Sequence, residues 1–127
     1  MKVAVPNWRG RVSPVLDVAE QVLLIDLDNR GNAGGRRTER LESAAPHDRA
    51  RRLTELGVDV VVCGAISSPL ETLLVAGGIR VFPLICGDVD EVVQAFRDGT
   101  LDDERFAMPG STRKTRRCRN RRVTRGM

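Results

Sequence analysis

Tyrosine is absent from this 127-residue chain, and three Phe and one Trp supply all its aromatic side chains. A core must therefore be built from Val, Leu, Ile and Ala, which suits a sheet covered by helices. The chain is long enough for one domain with a real core. There are only three cysteines (Cys63, Cys86 and Cys118), and no C-x-x-C spacing. That argues against a disulfide framework and points to a reducing cytoplasm. No apolar run reaches the ~18–20 residues of a membrane span. The opening MKVAVP lacks the pattern of a signal peptide. A Walker loop, a G-x-G-x-x-G turn and a serine elbow are also missing.

What is present is unevenly charged. The chain carries +4, but residues 113–127 hold eight Lys or Arg and no acid, so residues 1–112 carry −4. A mildly acidic globule is followed by a basic appendage, and the high isoelectric point describes only the appendage. From Pro109 onward the apolar residues almost vanish. Two parts are therefore expected: an α/β domain over 1–108 and a disordered tail over 109–127.

The stretch VDVVVCGAISS, Val58–Ser68, is the natural centre of the first part. Its Val run between helical patterns reads as a strand buried on both faces of a parallel sheet. Before it, MKVAVP and Gln21–Asp28 read as strands, and Asn7–Pro14 as a loop. Asn29–Gly35 reads as a hairpin tip and Arg36–Glu42 as a charged edge strand. Pro46 opens a helix striped by Ala50, Leu53 and Leu56 and stopped at Gly57. Ser68–Ala76 and a segment from Asp88 or Val89 to Gly99 read as two more helices, with the strand Ile79–Pro83 between them. Three strands on short links form an antiparallel meander, and the last two need right-handed crossovers. The expected architecture is a ribonuclease H-like, five-stranded mixed sheet of order 3-2-1-4-5 with three helices.

In that topology the carboxyl ends of the first and fourth strands bring Asn7–Gly10 beside Cys63–Ser68. A crevice is expected there. Ser67 or Ser68 caps the following helix, and its free N–H groups suit an anion. The alternative is that Gly64 is only a turn and the serine only a cap. Cys63 ends the fourth strand and Cys86 lies just beyond the adjacent, parallel fifth, so both are candidates for soft-metal ligation; isolated cysteines are more often inert packing. His47, the single histidine, is either a metal ligand or a surface residue. Trp8 is either a lid over the crevice or an anchor. A two-metal nuclease is disfavoured, because the first strand offers Lys2, Val3, Ala4 and Val5 and no acid. The tail RKTRRCRNRRVTR is able to neutralise phosphates but lacks interleaved aromatics.

Taken together, MKVAVP, RVSPVLDVAEQVLLIDLD, HDRARRLTELGVDVVVCGAIS, AGGIRVFPLICGDVDEVVQAF and DGTL resemble the small dinitrogenase iron–molybdenum cofactor biosynthesis family of the NifX/NifB C-terminal-domain type. The resemblance covers residues 1 to about 108. It implies the same ribonuclease H-like architecture, and binding or delivery of a metal–sulfur cluster (Fe–S, Fe–Mo or Mo–Cu type) rather than catalysis. His47 falls where members carry a histidine opening the first helix. Gly64-Ala65-Ile66 falls at the glycine-rich turn, and Ser13-Pro14 in the first-loop motif. Where many members have His-Phe-Gly, this chain has Val15-Leu16-Asp17, which removes one potential ligand. Met108-Pro109-Gly110 is followed by Ser111, with Cys118 further on.

The leading expectation is thus a cytoplasmic, non-enzymatic carrier of an anionic metal cluster, acting with cofactor-assembly proteins. Asn7, Trp8, Ser13, Gly64, Ala65 and Ser67 form its pocket, and His47, Cys63 or Cys86 supplies soft ligands. The competing expectations are a protein- or nucleic-acid-binding module acting through the tail, and a small-molecule enzyme in the same crevice.

Overall fold

The computed structural model describes residues 1–27, 33–101 and 106–108. Its strands are β1 (Lys2–Trp8), β2 (Arg11–Val12), β3 (Gln21–Leu27), β4 (Ala33–Arg40), β5 (Val60–Val62) and β6 (Arg80–Phe82). The helices are α1 (Pro46–Glu55), α2 (Ser68–Ala76) and α3 (Val89–Asp98), and a short 3-10 turn covers Leu16–Val18.

The strands form one mixed sheet of order β4-β3-β1-β5-β6, with β2 paired to β1 off that path. β3 runs antiparallel to β1 and β4, whereas β5 is parallel to β1 and β6 is parallel to β5. This corrects the expected five strands of order 3-2-1-4-5. Among the described residues there are six, and the added one is Arg11–Val12, which the sequence reading assigns to a loop. Two residues are too few for a period-2 pattern, so no alternation announces it. The edge strand also begins earlier than expected, at Ala33 rather than Arg36. The expected hairpin tip falls partly on residues 28–32, outside the described residues, as does the tail from Pro109.

Alternation along the strands splits the core into two layers. Ala4, Val22, Leu24, Val61, Cys63 and Val81 join Leu53 of α1 and Leu70 and Leu74 of α2 on one face. Val3, Val5, Leu23, Ile25, Val60 and Val62 join Val92 and Val93 of α3 on the other. Val60, Val61 and Val62 are each at most 1% exposed. Burial of each such valine contributes roughly 1.5 kcal/mol. The central strand is therefore apolar on both sides, as its Val run requires.

The caps explain where the helices begin. Ser67 Oγ accepts the Leu70 N–H at 3.3 Å to start α2. Asp88 Oδ1 accepts the N–H groups of Asp90 (2.9 Å) and Glu91 (3.2 Å) to start α3. Both are side-chain acceptors at the usual helix-opening position. Among the described residues, no helix is long and apolar enough to cross a membrane.

Candidate functional site

The carboxyl end of β1 turns back on itself. Asn7 pairs with Val12 and Trp8 with Arg11, closing a two-residue turn at Arg9-Gly10. Both turn residues have positive φ (55° and 82°), as a tight hairpin of this kind demands. The Asn7 side chain steadies the turn by accepting the Gly10 N–H at 2.9 Å. This puts Trp8 at the hairpin end, 54% exposed, with the Arg9 guanidinium 5.0 Å from the ring centre. A cation over an aromatic face is mutually favourable and holds both groups at the rim.

Beyond β2 the chain is stitched to the turn after β5. Ser13 donates its N–H to Pro6 O at 2.8 Å, Ala65 donates to Pro14 O at 2.8 Å, and Leu16 donates to Ala65 O at 2.9 Å. The approach is so close that a Cβ on Gly64 would lie 2.5 Å from Pro14 O and 2.9 Å from Ser13 O. Gly64 is therefore fixed by contact with a neighbouring backbone. Sequence reading set Asn7–Gly10 beside Cys63–Ser68; the segment found against that turn is Ser13–Leu16, just beyond the hairpin.

The start of α2 differs from the expectation of free N–H groups. The Ser67 N–H donates to Asp17 Oδ1 at 2.8 Å, and its hydroxyl to Asp17 Oδ2 at 2.5 Å. An internal carboxylate thus holds both donors of Ser67, and the helix dipole favours it there. Asp17 is set in place by the 3-10 turn. Arg49, 4% exposed, reaches from α1 and donates to Leu16 O (3.2 Å) and Ala19 O (2.6 Å) at that turn. Burial pulls the Arg49 guanidinium below its ordinary pKa, and the negative charge of Asp17 partly opposes this. Sequence reading missed both residues. The Asp17–Ser67 tie spans 50 positions of chain and the Arg49 bonds span 33 and 30, and no local pattern signals either.

Two hollows flank Trp8. The larger, about 520 Å³, is lined by Asn7, Trp8, Arg9, Ser13, Val18 and Gln21, with Glu20 also on its wall. The smaller, about 170 Å³, lies between Trp8, Arg11, Pro14, Ile85, Cys86 and Met108. Of the expected pocket residues, Asn7, Trp8 and Ser13 meet in the larger hollow. Gly64 and Ala65 brace Pro14 from behind, and Ser67 is tied to Asp17. Arg9 and Arg11, which supply the positive charge, were signalled only by the W-R-G-R run itself.

The three expected metal ligands do not converge. His47 is exposed on the first turn of α1 and lines neither hollow. Cys63 is wholly buried in the layer beneath α1 and α2. Burial, reinforced by the negative charges of Glu71 and Asp17, pushes its thiol pKa far upward, so it stays protonated. Cys86 is half-buried, and its thiol donates to Ala107 O at 3.2 Å. Its hollow adjoins Val12 and Ile85 of the opposite core layer. The thiols thus share an edge of the sheet but belong to different faces. Among the described residues, no group of three or more His, Cys, Asp or Glu side chains is arranged to hold a metal ion.

This geometry can be set beside known proteins. Residues 1–99 match the family model described as dinitrogenase iron-molybdenum cofactor. Among solved structures, PH0822 superimposes with a TM-score of 0.74 at 22% identity, covering 80% of this chain and 94% of that one. A candidate dinitrogenase from Methanocaldococcus jannaschii gives 0.67 at 18% identity, covering 80% and 91%. The apo form of the orange protein from Desulfovibrio gigas gives 0.62 at 26% identity, covering 79% and 89%. No curated protein matches in sequence. The chain belongs to the dinitrogenase iron-molybdenum cofactor family.

Proposed function

We propose that residues 1–108 carry an anionic metal–sulfur cluster for cofactor assembly, without catalysing a reaction, and hold it in the larger hollow beside Trp8. Family membership supports a role in iron–molybdenum cofactor biosynthesis, and the sheet order is read as ribonuclease H-like. The observation that carries the proposal is the Arg9–Trp8 stack on the wall of a 520 Å³ hollow. A guanidinium at the rim attracts an anion, and it is a weakly hydrated, multi-donor cation suited to broad anionic surfaces. Asn7 and Gln21 add amide donors, and the indole gives an apolar wall.

The same lining limits how cargo is held. Among the described residues, no cysteine or histidine lines this hollow, so they offer no thiolate or imidazole to a metal there. The cluster would arrive with its own sulfur ligands and be retained by charge, hydrogen bonds and apolar contact. Such a mode favours release to a partner, because no protein–metal bond has to break. Glu20 opposes an anion, and its wall sets a limit on how deep the charge sits.

Anaerobic reconstitution with iron, sulfide and molybdate, followed by metal analysis and absorption spectra, tests this. The expected result is a bound cluster that is lost in Arg9→Glu and Trp8→Ala and retained in Cys63→Ala. Absence of metal in the wild type, or retention in Arg9→Glu, would sink the proposal.

A further inference from the structure

The geometry points to a second, independent site: the small hollow between Trp8, Cys86 and Met108 takes a single soft monovalent metal ion of the Cu(I) or Ag(I) kind. This goes beyond the carriage of a cluster and does not depend on it.

The donor set carries the inference. Cys86 and Met108 both line the 170 Å³ hollow, and the remaining walls are largely Trp8, Val12, Pro14 and Ile85. Ile85 bridges Ala107 in antiparallel register, Cys86 donates its N–H to Phe106 O (2.8 Å), and Met108 donates its N–H to Leu84 O (3.2 Å). Cys86 and Met108 are therefore diagonal neighbours across a short ladder, positions within reach of each other's long side chains. A thiolate and a thioether are soft donors, and soft donors select Cu(I) among common metal ions. Zinc wants four ligands of the N, S or O type, and among the described residues no His, Asp or Glu lines this hollow. Two soft donors in an apolar recess suit an ion content with few ligands.

Two further features fit. The Trp8 ring forms part of the wall, and an aromatic face is attractive to a desolvated cation. Arg11 also lines the hollow. The bound thiolate–metal(I) pair is neutral, so the Arg11 guanidinium is not set against a net cation. The loop bearing Cys86 is held in an uncommon shape, with Leu84 at φ 64° and Gly87 at φ 128°. Bulky residues rarely adopt such angles, and the surrounding ladder fixes them.

Binding forms one sulfur–metal bond at Cys86 and releases the thiol proton to water. The hydrogen bond to Ala107 O breaks, and Met108 adds a second sulfur–metal bond. No electron is transferred.

The test uses the full chain in a Cys118→Ser background, so that the tail thiol does not compete. Cu(I) is titrated anaerobically against a bicinchoninate competitor, and Trp8, the single tryptophan, reports by its fluorescence. The expected result is one tightly bound ion per chain with quenched Trp8 emission. Cys86→Ser abolishes binding, and Met108→Leu weakens it by about ten-fold or more, the loss of one soft donor. Binding unchanged in either variant, or uptake without a change in Trp8 emission, overturns the inference. Because the readout uses apo protein and no cluster, failure here leaves the cluster proposal standing, and failure of reconstitution leaves this one standing.

Discussion

Two turns in this protein share a dipeptide and almost nothing else. Cys63-Gly64 follows β5, and Cys86-Gly87 follows the neighbouring parallel strand β6. At the first, the thiol is sealed in the core, and the glycine is forced by the backbone of Ser13-Pro14 pressed against it. At the second, the thiol is half-open in a hollow, and the glycine is required by its φ of 128°, since its Cβ contacts would be ordinary ones at 3.6 Å. Identical local chemistry therefore yields a structural staple in one place and an open recess in the other. What differs is the element laid against each turn.

The glycines should break this comparison first if it is wrong. Gly64→Ala drives a methyl into Pro14 O and is expected to cost about 3 kcal/mol in urea denaturation, as overpacking against immobile backbone does. Gly87→Ala meets only conformational strain and is expected to cost about 1–2 kcal/mol. Equal losses would mean that Gly64 is merely another turn glycine.

The thiols come next. Cys63→Ser places a hydroxyl in an apolar layer and is expected to cost about 1–3 kcal/mol. Cys86→Ser should stay within about 0.5 kcal/mol, because its position is half-open. A larger loss at Cys86 than at Cys63 would reverse the roles assigned to the two turns.

Alkaline titration sharpens the same contrast. Burial raises the folded-state pKa of Cys63 above its unfolded value near ~8.5. Below that pH both states keep the proton, and the thiol adds no pH dependence. Above it the unfolded chain releases a proton that the folded chain retains, so stability falls by about 1.4 kcal/mol per pH unit. Stability curves of wild type and Cys63→Ala should therefore diverge in slope above pH ~8.5, and parallel curves would show that Cys63 ionises freely when folded.

The smallest effect needs only a thiol reagent. In a Cys118→Ser background, Cys86 should label in the folded protein, and Cys63 only on unfolding, since buried structural thiols are inert. Labelling of Cys63 under native conditions would contradict its burial.

Much of this was legible from the chain. The Val60–Val62 run reads as a strand buried on both faces, and of the helix starts left open, Ser67 or Ser68 and Asp88 or Val89, the caps found are Ser67 and Asp88, with Gly99 at the expected end. Even the face of Cys63 follows from alternation, because it has the parity of Val61. What alternation does not tell is which helices cover that face, and hence that Cys63 is sealed while Cys86 is not. The β1–β2 hairpin escaped notice because β2 is two residues long. The Asp17–Ser67 tie and the Arg49 brace join residues far apart in sequence, so periodicity gave no sign that the Ser67 donors at the start of α2 are held by an internal carboxylate. His47 was placed correctly at a helix start, but its exposure away from both hollows depends on packing that the periodicity does not encode.

The central claim is that the Trp8–Arg9 hollow, and neither cysteine turn, holds the cargo. Metal content after anaerobic reconstitution of wild type, Arg9→Glu and the Cys63→Ala/Cys86→Ser double variant tests it most directly. The account predicts a cluster in the wild type and the double variant and none in Arg9→Glu. A cluster that survives Arg9→Glu and disappears with the two thiols would contradict it.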